Sequence, residues 1–135
     1  MSAPLEVRLR MFLESGPYAV VGASSDREKY GNKVLRCYQQ HGMEVFPINP
    51  RATEIEGLKA YPSLETLPKQ VTGISVITPP KITEAVVQEA IRAGVKHIWM
   101  QPGADSPAAI AAAEAAGLEV IAGGPCLLVV LGYHE

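Results

Sequence analysis

Hydrophobic residues recur along the chain in short blocks of two kinds, separated by glycine, proline and polar residues. Continuous apolar runs are typical of strands buried on both faces of a sheet, whereas apolar positions three or four apart predict one buried face of a helix. The continuous runs predict five strands, at residues 18–22, 44–48, 73–78, 96–100 and 118–122.

Helical spacing connects these runs, with Ile82, Val86 and Ala90 as a clear example. Ser106 followed by Pro107 is a strong helix start, and glycines after the periodic blocks are typical stops. We therefore predict helices over residues 4–14, 32–41, 80–93 and 106–116, one helical turn from Ser63, and a loop over residues 51–62. Alternating strands and helices favour an α/β fold, here a three-layer sandwich with a five-stranded, mainly parallel sheet in one domain of residues 1–135.

Composition narrows the function classes. The 135 residues carry a net charge of −2, so no basic excess favours nucleic acid. The two cysteines, Cys37 and Cys126, form no CxxC pair and signal neither a disulfide framework nor a zinc cluster. Charged residues interrupt the N-terminal apolar stretch, which argues against a signal peptide. We expect a soluble cytoplasmic protein without membrane contact.

The C-terminal segment "GGPCLLVVLGYHE", residues 123–135, is too apolar to remain in solvent. Glycines and a proline break it, and it is too short to cross a bilayer. We expect it to pack on the domain, or to form an interface, as a strand for example, with a second copy or a partner subunit.

The loop after the first strand indicates an anion site. Ligands of open α/β sheets bind beyond the carboxyl ends of the strands. After Gly22 the next glycine is Gly31, so the dinucleotide fingerprint GxGxxG is absent, but hydroxyls at Ser24 and Ser25 and a cation at Lys29 are present. A helix N-terminus near Gly31 and Asn32 offers N–H groups to a phosphate. The alternative is a solvated surface turn.

The second strand ends in Asn49, Pro50 and Arg51. NAD enzymes place a carboxylate there to accept from the ribose hydroxyls. An arginine instead suits a phosphorylated ribose, as in NADP or coenzyme A (CoA). The alternative is that the prolines stiffen the loop and Arg51 is a solvated charge.

Six motifs in order carry a family resemblance: VVGAS (20–24), VFPINP (45–50), YPSL (61–64), VTGISVITPP (71–80), EAIRAGVKHIWMQPGA (89–104) and AEAAGLEVIAGGPC (113–126). The set resembles the small stand-alone CoA-binding-domain proteins and is similar to the nucleotide-binding N-terminal domain of the succinyl-CoA synthetase α-subunit. The resemblance implies a Rossmann-like fold and binding of CoA or an acyl-CoA.

The resemblance also implies which residues bind the cofactor. The phosphate loop falls on Gly22, Ala23, Ser24 and Ser25, and the adenosine-side loop on Asn49, Pro50 and Arg51. The third-strand wall falls on Thr78, Pro79, Pro80 and Lys81, and the fourth-strand loop on Gln101, Pro102 and Gly103. Lys29 and Asn32, expected from the loop and helix start described above, complete the set of cofactor-binding residues. Arg51 or Lys29 can meet the 3′-phosphate, the two prolines can form an apolar wall, and Gln101 can pair with pantetheine amides.

Two departures from the family stand out. Many members end the third strand in Phe-Arg, where this chain has Ile77-Thr78, and many have Asp/Asn-Arg before the last cysteine, where this chain has Gly124-Pro125. The first change removes a cation from the expected site. The second leaves the family role of the tail in doubt.

The sequence carries no nucleophile–base–orienter set. His41, most simply a helix C-terminal cap, His97 and His134 are not spaced as metal ligands. Cys126 is interpreted as a packed side chain, with a mixed disulfide to CoA as the sharper alternative. We expect CoA or acyl-CoA binding, without catalysis by the chain alone; the alternatives are an NADP-binding oxidoreductase and a ligand-free interaction module.

Overall fold

A parallel sheet lies at the centre of the protein, whose computed structural model describes residues 3–135. The strands are β1 (Tyr18–Val21), β2 (Val45–Ile48), β3 (Glu54–Ile55), β4 (Leu58–Lys59), β5 (Gly73–Val76), β6 (His97–Met100) and β7 (Glu119–Ile121). Five of them form one sheet in the order β2-β1-β5-β6-β7, and every neighbouring pair is parallel. The predicted α/β, Rossmann-like fold is therefore confirmed.

Four helices cover the two faces of the sheet: α1 (Leu5–Glu14), α2 (Tyr30–Gln40), α3 (Pro80–Arg92) and α4 (Pro107–Ala115). Alternate strand residues enter different cores, as in β6, where Ile98 and Met100 pack with α3 and α4 while Trp99 packs with α1 and α2. This alternation makes three layers. Helix α2 begins two residues before the predicted start at residue 32, and the predicted turn after Ser63 is a 3₁₀ turn, Leu64–Thr66.

Residues 51–62, expected to be a loop, contain the hairpin of β3 and β4. Strands of two residues are too short to show an alternating pattern in the sequence. Tertiary contacts hold the hairpin, because Ile55 is buried in the α2 core and the backbone of Tyr61 hydrogen-bonds to Pro47 and Asn49 along the β2 edge.

The C-terminal segment packs on its own domain. It forms a π-helical turn over Leu128–Gly132 rather than a strand, because Leu127, Leu128 and Leu131 all turn toward the α2 core. Leu127 is fully buried, whereas Val129 is 81% exposed. Among residues 3–135, no helix has both the length and the apolar character needed to cross a membrane.

A glycine sets the distance between the first strand and the helix that follows it. A Cβ on Gly31, in the first turn of α2, would lie 2.0 Å from the carbonyl oxygen of Gly22. No side chain fits there without moving backbone. The start of α2 can therefore lie directly against the end of β1.

We predict that Gly31→Ala lowers the free energy of unfolding by about 3 kcal/mol, the upper range for overpacking a tight contact. Urea denaturation at neutral pH measures the change. Gly42→Asn is the control, because its left-handed site has open space around it and asparagine tolerates that backbone conformation. Equal midpoints for Gly31→Ala and the wild type would contradict the contact.

Candidate functional site

The carboxyl edge of the sheet opens into a cleft where the strand order reverses. The chain leaves β1 through α2 to reach β2 on one side, and later returns to β5 on the other side of β1. Because the loops after β1 and β5 diverge, a crevice forms between them. Three adjoining cavities lie along it, which we call the apolar, central and distal sections of the cleft.

The central section has a volume of about 440 Å³ and is lined by residues 22–24 and 29–31, together with Asn49 and Ile77. It shares Gly22 and Asn49 with the apolar section, of about 410 Å³. It shares Tyr30 and Ile77 with the distal section, of about 280 Å³. The three sections thus form one continuous path across the sheet edge.

The central section is built to accept an anion. Gly22 has φ +98°, and a Cβ there would lie 3.1 Å from the carbonyl oxygen of Ile77. Within residues 3–135, the backbone N–H groups of Ala23, Ser24, Tyr30 and Gly31 donate no hydrogen bond. Donors that face a cleft beside a helix N-terminus favour a phosphate.

Two asparagine side chains hold the loop after β1. The fully buried Asn32 donates to the carbonyl of Ser24 (2.9 Å) and to Glu56 Oε2 (2.9 Å), and its oxygen accepts from Arg36 Nε (2.7 Å). Asn49 donates to the carbonyl of Ala23 (2.9 Å). Asn32, expected among the cofactor-binding residues, therefore acts on the loop, because its amide is engaged within the protein.

Glu56, at the tip of the β3–β4 hairpin, joins this network. Its carboxylate accepts from Arg27 at 2.8 and 3.1 Å as well as from Asn32. The hydrogen bonds from Arg27, then the one from Asn32, lower the pKa of Glu56 to about 2. The hairpin is thus tied to the phosphate-type loop by a charged contact.

The apolar section has aliphatic walls and two charged residues. Ile48, Pro62, Ile82 and Val86 form its walls, and the charges come from Arg51 and Glu89. Arg51 is exposed and makes no ion pair within the described residues. Its backbone N–H donates to Asn49 Oδ1 (2.8 Å), which sets the turn that carries the guanidinium toward the cleft.

The distal section is lined by Tyr30, Thr78, Pro79, Pro102 and Gly103 among others. Tyr30 OH donates to Gln101 Oε1 (3.0 Å) and lies 2.6 Å from Cys126 Sγ. Burial, together with the contact to Cys126, raises the pKa of Tyr30. Tyr30 OH therefore contacts both Gln101 and Cys126.

The structure brings most of the expected residues to the cleft but not all of them. Gln101 is fully buried, accepts from Tyr30 and from the backbone N–H of Leu127, and lies outside the residues that line the three sections. Ser25, Pro80 and Lys81 are exposed and lie outside the residues that line the three sections. Lys29, by contrast, lines the central section.

Tyr30 and Glu89 line the cleft without having been singled out from the sequence. Tyr30 lies directly before Gly31 at the true start of α2. A prediction that began the helix there would have placed Tyr30 at the cleft. The signal for Glu89 was its spacing from Ile82 and Val86 on α3.

Histidine and cysteine positions carry little chemistry. His41 Nδ1 lies 2.9 Å from the carbonyl of Cys37, so the predicted cap at the end of α2 is confirmed. Cys37 is fully buried, while Cys126 is partly exposed. In the part of the chain that the structure describes, no group of three or more His, Cys, Asp or Glu could hold a metal ion.

Comparison with known proteins assigns the family. The family described as "CoA binding domain" matches residues 17–132. The α-subunit of an ADP-forming acetate–CoA ligase from Pyrococcus furiosus is 33% identical over 91 residues, which are 67% of this chain and 20% of the ligase subunit. The chain therefore spans about a fifth of that relative.

Two solved structures resemble the whole domain. A conserved hypothetical protein from Pyrococcus furiosus is 45% identical with a TM-score of 0.79, covering 84% of this chain and 97% of that chain. A hypothetical protein from Pyrococcus horikoshii is 31% identical with a TM-score of 0.88, covering 94% and 89%. This chain belongs to the CoA-binding-domain family and is homologous to the CoA-binding domain of the acetate–CoA ligases.

We predict that Glu56→Gln destabilises the protein at neutral pH and that the difference from wild type disappears in acid. The pKa of Glu56 is lowered from 4.5 to about 2 on folding, so its ionised form stabilises the native state. That contribution is complete above pH 4.5 and is lost as pH falls toward 2. Urea denaturation of both proteins between pH 7 and pH 2.5 measures it.

Glu54→Gln is the matched control, because it removes a carboxylate from the same hairpin and keeps the Arg27–Glu56 contact. A difference between Glu56→Gln and wild type that stays constant with pH would show that the carboxylate charge does not hold the loop.

Proposed function

We propose that this chain binds coenzyme A or an acyl-CoA along the cleft. The observation that supports this best is the central section, where residues of the turn after Gly22 and of the start of α2 line one cavity and their backbone N–H groups are unpaired within residues 3–135. This section takes the diphosphate. Membership of the CoA-binding-domain family supports the same ligand.

The two outer sections of the cleft match the two ends of the CoA molecule. The apolar section takes the adenosine, since aliphatic walls suit a flat base and Arg51 beside them can pair with the ribose 3′-phosphate. The distal section takes the pantetheine arm between Pro79 and Pro102, with Thr78 and Tyr30 as polar contacts.

We further propose that the chain acts by binding and contributes no catalysis by itself. Cys126 contacts the cleft-lining Tyr30 without lining the three sections itself, and Tyr30 has a raised pKa. A tyrosine that holds its proton this firmly is a poor base for activating the thiol. A group-transfer reaction would need residues from a partner chain.

Ligand specificity tests the proposal. Melting temperatures are measured with CoA, acetyl-CoA, dephospho-CoA, NADP and NAD at matched concentrations. A ligand at 100 times its dissociation constant adds about 2.7 kcal/mol to the stability of the folded state. The expected result is a large rise with CoA and a smaller one with dephospho-CoA. A rise with NADP alone would favour an oxidoreductase, and no rise with any ligand would favour an interaction module.

We predict that Arg51→Ala weakens CoA binding roughly tenfold and leaves dephospho-CoA binding unchanged, because a charge-assisted contact to the 3′-phosphate is lost. Titration calorimetry with the two ligands measures the effect. Lys29→Ala is the comparison, since Lys29 lines the diphosphate section and its loss should affect both ligands alike. Arg10→Ala on α1 is a control outside the cleft. Equal losses for the two ligands in Arg51→Ala would reject the 3′-phosphate role.

A further inference from the structure

One wall of the apolar section is a stripe on α3. Ile82, Val86 and Glu89 follow one another at spacings of four and three residues, so they share one helix face, and all three line the section. Ile82 is near the start of α3, at the sheet edge. Glu89 lies roughly 10 Å farther along the helix axis. The carboxylate is therefore at the inner end of the section, away from the diphosphate site.

The orientation of Glu89 is fixed by one contact. Its Oε1 accepts a hydrogen bond from the backbone N–H of Leu64, at the start of the 3₁₀ turn. Within residues 3–135, Oε2 accepts no hydrogen bond and no cation pairs with the carboxylate. The nearest basic residue along α3, Arg92, pairs instead with Glu65 at 3.5 Å. One carboxylate oxygen is thus held in place and the other is left available.

A carboxylate accepts hydrogen bonds and cannot donate them. At the end of an aliphatic section, the complementary ligand group is a neutral donor, because a second acceptor there would face the carboxylate charge. An adenine base carries such a donor in its exocyclic 6-amino group. A purine with a 6-oxo group presents an acceptor at the same place.

We propose that Glu89 makes the cleft specific for a 6-aminopurine by accepting a hydrogen bond from the exocyclic amino group. The inference rests on the proposed CoA site and adds to it a residue that recognises the base. Arg51 recognises the phosphorylated ribose, and Glu89 recognises the base beyond it.

The test compares CoA with its inosine analogue, in which the 6-oxo group replaces the 6-amino group, by titration calorimetry. The wild type is expected to bind CoA roughly tenfold more tightly than the analogue. In Glu89→Gln the amide oxygen keeps the contact to Leu64, and the amide nitrogen faces the ligand as a donor. The preference should therefore disappear or reverse. Glu114→Gln, on the exposed face of α4, is the matched control and should keep the wild-type preference.

The outcomes separate the two proposals. Equal affinity of the wild type for CoA and the inosine analogue overturns the role of Glu89 and leaves the CoA site intact; this comparison needs no variant. Equal losses for both ligands in Glu89→Gln overturn it as well, since they would show a structural role through Leu64. Absence of CoA binding by the wild type overturns the proposed function itself.

Discussion

The close contact between Gly31 and the carbonyl of Gly22 is the constraint on which the site depends. It lets the start of α2 approach the end of β1 more closely than any side chain would allow. Residues of the turn and of the helix whose backbone N–H groups are unpaired within residues 3–135 consequently line the same cavity. A glycine-rich fingerprint achieves a similar approach with several glycines. Here two glycines nine residues apart do so, and the longer loop between them needs other support.

That support comes from a segment with little structure of its own. The β3–β4 hairpin has only two residues in each strand, yet its tip supplies Glu56 to Arg27 and Asn32. Asn32 in turn holds the carbonyl of Ser24. Buried polar groups are favourable only when they are paired, and this network pairs nearly all of its members. The network therefore fixes the carbonyl of Ser24, in the loop that lines the central section.

The far end of the cleft is tied to the C-terminal segment. Gln101 accepts from both Tyr30 and the backbone of Leu127, so the start of α2, the end of β6 and the tail meet at one side chain. Cys126 adds its contact to Tyr30. The tail thus packs against the residues that support the distal section. Ile77 lines both the central and the distal sections.

Much of this protein followed from the sequence by itself, because strand and helix periodicity and glycine stops are local signals. They determined the five strands, the helices and the edge of the sheet where Gly22, Asn49 and Arg51 would meet. Tertiary structure decided what periodicity does not encode. The hairpin exists through contacts with β2 and α2, the tail became helical because its leucines reach the α2 core, and Gln101 is buried where Tyr30 and Leu127 both donate to its oxygen. Glu89 faces the cleft only because α3 packs with that side toward the loops after β1 and β2. A side chain's partners depend on elements distant in the chain, and only the folded arrangement brings them within hydrogen-bond distance.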